Sequence, residues 1–110
     1  MKQYVIDELR PVDHQKIRTY LDEHFETSTV DDLYWIVLNP NLLTKTQMAH
    51  KECQPYYLSV ELQPESLCCE LFIRTRNRVK CNCMGYASEK QRNWFIGLMD
   101  NVLEKLSIQT

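Results

Sequence analysis

Two short motifs carry side chains of the kind that bind transition metals: His50 with Cys53, three residues apart, and Cys81 with Cys83, two residues apart. Imidazole nitrogen and thiolate sulfur are the usual ligands of structural zinc, and four of them complete a tetrahedron. The four residues therefore define a hypothetical zinc site. Cys81 and Cys83 are predicted to lie in a strand, where alternate side chains are about 7 Å apart, so sharing one ion requires a bend or bulge.

Two alternative interpretations use the same cysteines. In the first, Cys69, Cys81 and Cys83 are small buried hydrophobic side chains of the core. In the second, Cys69 and Cys83 oppose each other across a hairpin and form a disulfide or a redox pair. The chain has five cysteines, an odd number that does not favour a disulfide framework.

Positive charge is concentrated at one place in a chain whose formal net charge is −2. The segment 74–80 carries the basic residues Arg74, Arg76, Arg78 and Lys80 and no acidic one. Such a turn can bind phosphate, and Lys90 and Arg92 near the start of the last helix extend the footprint, which suggests RNA or nucleotide binding. The alternative is that the charges keep a hairpin soluble and discourage edge pairing.

A protein-binding surface is the main functional hypothesis. Aromatic and arginine side chains on the mixed face of the predicted sheet have the composition of an interface core, which favours self-association as a homodimer or a bound protein partner. The predicted contact residues are Tyr57, Phe72, Arg74, Arg76, Arg78 and Lys80. The alternative is that the first helix covers this face.

Apolar periodicity predicts the elements that position these residues. Apolar residues at three- and four-residue steps predict a helix over 9–25, an apolar run predicts a strand over 33–38, and Thr44 is expected to begin a short helix. Alternation then predicts a half-buried strand over 56–62. Ser88 and Gln91 have capping-box spacing and are expected to begin the last helix.

The pattern over 56–87 predicts an antiparallel meander of three strands. In its first hairpin Val60 is expected to face Cys69, and Leu58 to face Leu71. A three-residue loop over 75–77 puts Ile73 opposite Val79, Leu71 opposite Cys81 and Cys69 opposite Cys83. The predicted fold is α+β: this meander and one further strand, packed with an N-terminal and a C-terminal helix, in the order α-β-α-β-β-β-α.

The element order of the second half, a helix, three antiparallel strands and a final helix, resembles a double-stranded RNA-binding domain. That resemblance implies RNA binding. The family normally has a lysine-rich start to its last helix and a strongly basic composition, whereas this chain is acidic and has Ser88-Glu89-Lys90-Gln91-Arg92 at that position.

The remaining expectations follow from length and composition. A chain of 110 residues, 44% of them hydrophobic, is expected to form one globular domain over 1–110. No segment approaches the ~18 consecutive apolar residues of a membrane span, and the N-terminus lacks the apolar core of a signal peptide, so a cytoplasmic location is expected. No catalytic motif or cofactor fingerprint is found, and an enzyme is the less favoured class.

Overall fold

The computed structural model describes residues 2–76 and 81–108 of the chain. Within those residues the strands are β1 (Gln3–Ile6), β2 (Glu26–Thr27), β3 (Leu33–Val37), β4 (Tyr56–Leu62), β5 (Leu67–Glu70), β6 (Phe72–Thr75) and β7 (Gly85–Tyr86). The helices are α1 (Pro11–His24), α2 (Lys45–Ala49) and α3 (Glu89–Lys105), with 3-10 turns at Pro40–Leu42 and Lys51–Cys53. The predicted α+β class with an antiparallel sheet is confirmed, and the short strands β1 and β2 are additions to the predicted elements.

The sheet has the order β1-β5-β4-β3-β2, and β6 pairs with β4 and with β7. Val60 faces Cys69, as predicted, but Tyr57 faces Arg74, so the register between β4 and its partner moves by two residues along the strand. Leu71 lies between β5 and β6 at this interruption and has no partner in β4. The predicted pair of Leu58 with Leu71 is therefore wrong, because the extra residues at the interruption shift everything that follows.

The second predicted hairpin also differs from the structure. β7 is only two residues long and pairs Phe72 with Tyr86 and Ile73 with Gly85. The preceding residues 81–84 form a turn in which the N–H of Met84 donates to the carbonyl of Cys81 at 3.1 Å, with Asn82, a residue common in turns, inside it. The predicted pairs Leu71–Cys81 and Cys69–Cys83 are thus wrong. The predicted partner of Ile73, Val79, and the loop residue Asn77 lie outside the described residues.

Both long helices cover the same face of the sheet. Ile17 of α1 and Phe95 and Met99 of α3 are fully buried in one hydrophobic cluster with Leu58 and Val60 of β4. Burying each such side chain stabilises the fold by about 1.5 to 3 kcal/mol before the entropy cost. Strand alternation puts the neighbouring side chains of every strand on the other face.

That other face, called the open face below, has no helix over it in the described part of the chain. Val37 of β3 is 49% exposed and Tyr86 of β7 is 48% exposed. The alternative in which the first helix covers the mixed face is therefore wrong, because α1 directs Ile17 and Leu21 into the core on the opposite side. The predicted contact residues Tyr57 and Phe72 lie on this open face.

Two helices begin with the same side-chain arrangement. At α3 the Ser88 hydroxyl accepts from the N–H of Gln91 at 3.3 Å while the Gln91 side chain accepts from the N–H of Ser88 at 3.0 Å, which confirms the predicted capping box. Thr44 and Gln47 repeat it at α2, with distances of 3.2 and 3.0 Å. The Gln91 amide then donates to the Gln47 side chain at 2.9 Å, so the two caps hold the starts of α2 and α3 together.

Among the helices of residues 2–76 and 81–108, none has the length and apolar content needed to cross a membrane.

Candidate metal centre

A 3-10 turn presents the first pair of candidate ligands. His50 directly follows α2, and the N–H of Cys53 donates to the carbonyl of His50 at 3.0 Å to form the turn Lys51–Cys53. A 3-10 helix has 3.0 residues per turn, so side chains three residues apart are eclipsed. The spacing of His50 and Cys53 therefore places both side chains on one side of this turn.

The turn at residues 81–84 presents the second pair. A regular strand would hold the side chains of Cys81 and Cys83 about 7 Å apart, too far to share one ion. The chain turns between them instead, so the two thiols are not held at that separation. Inside this turn the thiol of Cys81 donates to the side-chain oxygen of Asn82 at 3.7 Å. The bend that a shared ion requires is thus provided by the local backbone.

The two turns meet. The Nδ1 atom of His50 lies 3.0 Å from the sulfur of Cys81, and the sulfur of Cys53 lies 3.9 Å from that Cys81 sulfur. One ligand atom from each of His50, Cys53, Cys81 and Cys83 lies within 4.8 Å of every other. In a zinc tetrahedron with Zn–S bonds of ~2.3 Å, two sulfur ligands are separated by about 3.8 Å. The structure therefore brings all four predicted ligands to nearly the spacing of a coordination shell.

The cluster is partly sheltered from solvent. Cys53 is fully buried and Cys83 is 4% exposed, whereas His50 and Cys81 are half-buried. A boundary position of this kind allows an ion to enter from the side of His50 and Cys81 and to rest against the core on the other side. Cys69, by contrast, is fully buried in β5 opposite Tyr4 and Val60, away from Cys83 in the register, and all five cysteines are free.

A second layer of hydrogen bonds holds the backbone of the ligand turns. The Thr75 hydroxyl donates to the carbonyl of Cys53 at 2.6 Å, and the Gln47 amide donates to the carbonyl of Cys83 at 3.3 Å. Both donors are buried. Because Gln47 also accepts from Gln91, the turn at 81–84 is connected through it to the starts of α2 and α3. Such outer contacts are typical of metal sites, where they orient the ligands.

The thiols of the cluster differ in acidity. The backbone N–H of Cys83, then the thiol of Cys83, and also His50, lower the pKa of Cys81 to about 6. Burial, followed by hydrogen bonds with Cys83 and Cys81, raises the pKa of Cys53 to about 11. Burial, followed by the hydrogen bond with Cys83, also raises the pKa of Tyr56. Negative charge in the metal-free cluster is therefore concentrated on the half-buried Cys81.

The sequence analysis missed Gln47 and Thr75. The spacing of Thr44 and Gln47 is that of a capping box, which predicts that Gln47 lies in the first turn of α2. It does not predict that the Gln47 amide donates to the carbonyl of Cys83. For Thr75 no such signal exists, because its contact with Cys53 depends on the register of β6 against β4. Both residues act through distant pairings rather than through a local motif.

The predicted contact residues have different positions. Tyr57, Phe72, Arg74 and Arg76 lie together on or beside the open face, where the Arg74 guanidinium carbon is 4.8 Å from the Phe72 ring centre and that of Arg76 is 5.1 Å from the Tyr57 ring centre. Arg78 and Lys80 lie outside the described residues. Self-association and a protein partner on this face stay predictions, as do the single domain and the cytoplasmic location.

Lys90 and Arg92 do not join the cationic side chains of the open face. Both belong to α3, which covers the opposite face of the sheet. Their exposed side chains therefore do not lie on the open face with Arg74 and Arg76. The footprint predicted to combine the hairpin with the start of the last helix is divided between two surfaces.

The chain matches no protein-family model, no curated protein and no solved structure. The order predicted for a double-stranded RNA-binding domain also differs from the described structure, which has the four strands β4 to β7 between α2 and α3 instead of three.

Proposed function

We propose that the protein is a zinc-binding domain in which His50, Cys53, Cys81 and Cys83 hold one Zn²⁺ ion. The observation that supports this most directly is the convergence of their four ligand atoms within 4.8 Å, from two turns that are distant in the sequence. The imidazole nitrogen of His50, 3.0 Å from the sulfur of Cys81, supplies the one nitrogen ligand beside the three sulfurs.

The ligand set favours zinc over the harder metals. Three thiolates and one imidazole are soft or borderline donors, which suit Zn²⁺, whereas Mg²⁺ and Ca²⁺ prefer oxygen ligands. No carboxylate belongs to the cluster formed by these described residues. Four protein ligands also fill a tetrahedron, which leaves no position for a water molecule or a substrate, so the proposed role is structural rather than catalytic.

A structural ion at this place would join two irregular segments. The 3-10 turn Lys51–Cys53 precedes β4, and the turn at 81–84 precedes β7. Neither segment belongs to the sheet, so neither is held by a ladder of strand pairs. The ion would fix both turns to each other and, through the Cys53 carbonyl and Thr75, to β6.

Metal content and spectroscopy test this proposal. The protein as purified, after dialysis against metal-free buffer, is expected to retain one zinc per chain by elemental analysis. Replacement with Co²⁺ is expected to give the visible bands of tetrahedral coordination and a thiolate-to-metal charge-transfer band. Zinc that dialysis removes, or a Co²⁺ spectrum typical of six oxygen ligands, would contradict the proposal.

A matched pair of variants locates the site. Cys83→Ser removes one ligand and is expected to weaken Co²⁺ binding by a factor of about 100 or more. Cys68→Ser changes a half-buried thiol on the open face and is expected to leave the spectrum unchanged. Equal loss in both variants would mean that the ion is held elsewhere.

A further inference from the structure

The open face carries four aromatic side chains, which form two edge-to-face pairs spread over four strands. They are Trp35 of β3, Tyr57 of β4, Phe72 of β6 and Tyr86 of β7, and we call them the aromatic stripe. Trp35 and Tyr57 meet edge to face with ring centres 6.1 Å apart, and Phe72 and Tyr86 do so at 5.3 Å. With neighbouring strands ~4.8 Å apart, the stripe extends about 14 Å across the sheet.

Cationic side chains lie over these rings. Arg76 is 5.1 Å from the Tyr57 ring centre and 5.9 Å from that of Trp35, and Lys2 is 5.2 Å from that of Tyr86. Arg74 covers Phe72. Each aromatic side chain of the stripe thus has a positive group beside it, an arrangement that combines stacking surface with attraction for anions.

A cavity of about 400 Å³ opens beside the stripe. We call it the arginine pocket, and its wall includes the side chains of Thr27, Ser28, Thr29, Trp35, Arg74 and Arg76. Its described lining residues include two guanidinium groups and several hydroxyl groups but no carboxylate. Guanidinium and hydroxyl donors are the groups that bind phosphate oxygens, so the pocket is complementary to an anion with an adjacent flat ring.

The carboxylates that contact these arginines are already paired. Glu26 pairs with Arg76, and Glu70 pairs with Arg74. Each guanidinium carries five N–H donors, and a single carboxylate oxygen cannot accept from all of them. The pairs therefore hold the two planar groups in position at the pocket, and a phosphate can bind the N–H donors that a carboxylate oxygen does not take.

We propose that the open face binds single-stranded nucleic acid, with a phosphate in the arginine pocket and bases stacked on the aromatic stripe. Exposed aromatic residues on antiparallel sheets stack two or three bases in established RNA-binding modules, and such stacking tolerates any base. A nucleic acid strand supplies an unpaired anion with every nucleotide. A second copy of the chain carries no phosphate and has a formal net charge of only −2, so it complements a pocket with two guanidinium groups less well. This proposal does not depend on the zinc site.

The first test is the binding of a labelled single-stranded RNA of about 12 nucleotides, followed by fluorescence anisotropy. The wild-type protein is expected to bind it more tightly than the same sequence in a duplex, and affinity is expected to fall as salt rises from about 50 to 200 mM. Absent binding at the lower salt concentration, or salt-independent binding, would overturn the proposal. So would equal affinity for a single mononucleotide, because the stripe would then contribute nothing.

Charge variants identify the surface. Arg76→Gln is expected to weaken binding roughly tenfold and to reduce the slope of log K against log salt by about 0.7, the value of one phosphate contact in a single strand. Arg92→Gln removes the same charge from an exposed position on α3 and is expected to change neither quantity. Glu26→Gln removes the competing carboxylate and is expected to tighten binding, whereas a merely structural role for the Glu26–Arg76 pair predicts weakening.

Two further measurements keep the proposal testable if Arg76→Gln fails to fold. The chain has two tryptophans, so in a Trp94→Phe background Trp35 alone reports on the stripe, and its fluorescence is expected to be quenched over the same RNA concentrations as the anisotropy change. Unchanged Trp35 fluorescence on RNA binding would overturn the assignment. Light scattering that finds a dimer, which added RNA does not dissociate and in which Trp35 is protected from a soluble quencher, would show that a second copy covers the face instead.

Discussion

Removal of zinc is expected to lower the thermal stability of the protein without unfolding it at room temperature. The ion would connect Cys53 to Cys81, which are 28 residues apart. A cross-link that closes a loop of this length lowers the conformational entropy of the unfolded chain, which raises the free energy of unfolding by about 3.5 kcal/mol. For a domain of this size each kcal/mol corresponds to about 4 °C, so the midpoint should fall by about 14 °C. Cys53 and Cys83 lie at the margin of a core that is formed mainly by apolar side chains of the helices and the sheet, so the metal-free chain should stay folded.

Thermal melts followed by far-ultraviolet circular dichroism measure this difference. The melting midpoint of the zinc-loaded protein is measured with and without a chelator. The Cys53→Ser variant is expected to have the same midpoint as the wild-type protein treated with chelator. Cys68→Ser serves as the control, because it removes a thiol outside the cluster, and it should still respond to the chelator by the full amount.

A shared midpoint for the zinc-loaded and metal-free proteins would refute the cross-link, because the ion would then connect nothing that unfolding separates. A chelator effect of equal size in Cys53→Ser would refute it as well, since that variant should already have lost the cross-link. Complete unfolding on chelation would show that the core depends on the ion.

Two predictions concern titratable groups. In the metal-free protein at neutral pH, brief exposure to iodoacetamide should alkylate Cys81 first, because the pKa of its thiol is lowered to about 6. Cys53 and the buried Cys69 should react later, because their pKa values are raised. Peptide mass spectrometry measures the order of modification, and modification of Cys69 before Cys81 would contradict the prediction. The hydrogen bonds of Arg10 hold the pKa of the Asp13 carboxyl below its usual range, so its stabilising effect is present above the unfolded-state pKa of about 4 and is lost as pH falls through the lower folded-state value. Asp13→Asn should therefore unfold at lower urea concentration than the wild type at neutral pH and at the same concentration in strong acid, and an equal deficit at both would refute the assignment.

Local patterns predicted the elements that local physics determines. The capping residues Ser88 and Gln91 predicted where α3 begins, and alternation predicted β4 and its pairing of Val60 with Cys69. Both depend on residues close together in the chain. β1 was missed because its four residues are stable only when paired with β5, which lies more than sixty residues away in the sequence.

The candidate ligands were predicted from residue type, but their convergence was not. Alternation over 79–85 resembles a strand, and only the interruption at Leu71 shifts the pairing so that Phe72 faces Tyr86 and residues 81–84 are left to turn. The 3-10 turn that eclipses His50 and Cys53 is equally invisible to a helix or strand pattern. The convergence of the four ligands thus depends on two local departures from regular geometry, the 3-10 turn Lys51–Cys53 and the interruption at Leu71.

The interruption at Leu71 also determines how the border of the sheet meets other molecules. The N–H of Leu71 donates to the carbonyl of Lys2, and its own carbonyl accepts from the N–H of Ala87, so β1 and β7 lie end to end along one border. These border strands are four and two residues long, and β2 on the other border has two. Short borders offer another chain few consecutive unpaired backbone groups, which opposes fibril-like stacking. The borders of the sheet thus disfavour edge-to-edge association even though the ring of Tyr86 is exposed on the open face.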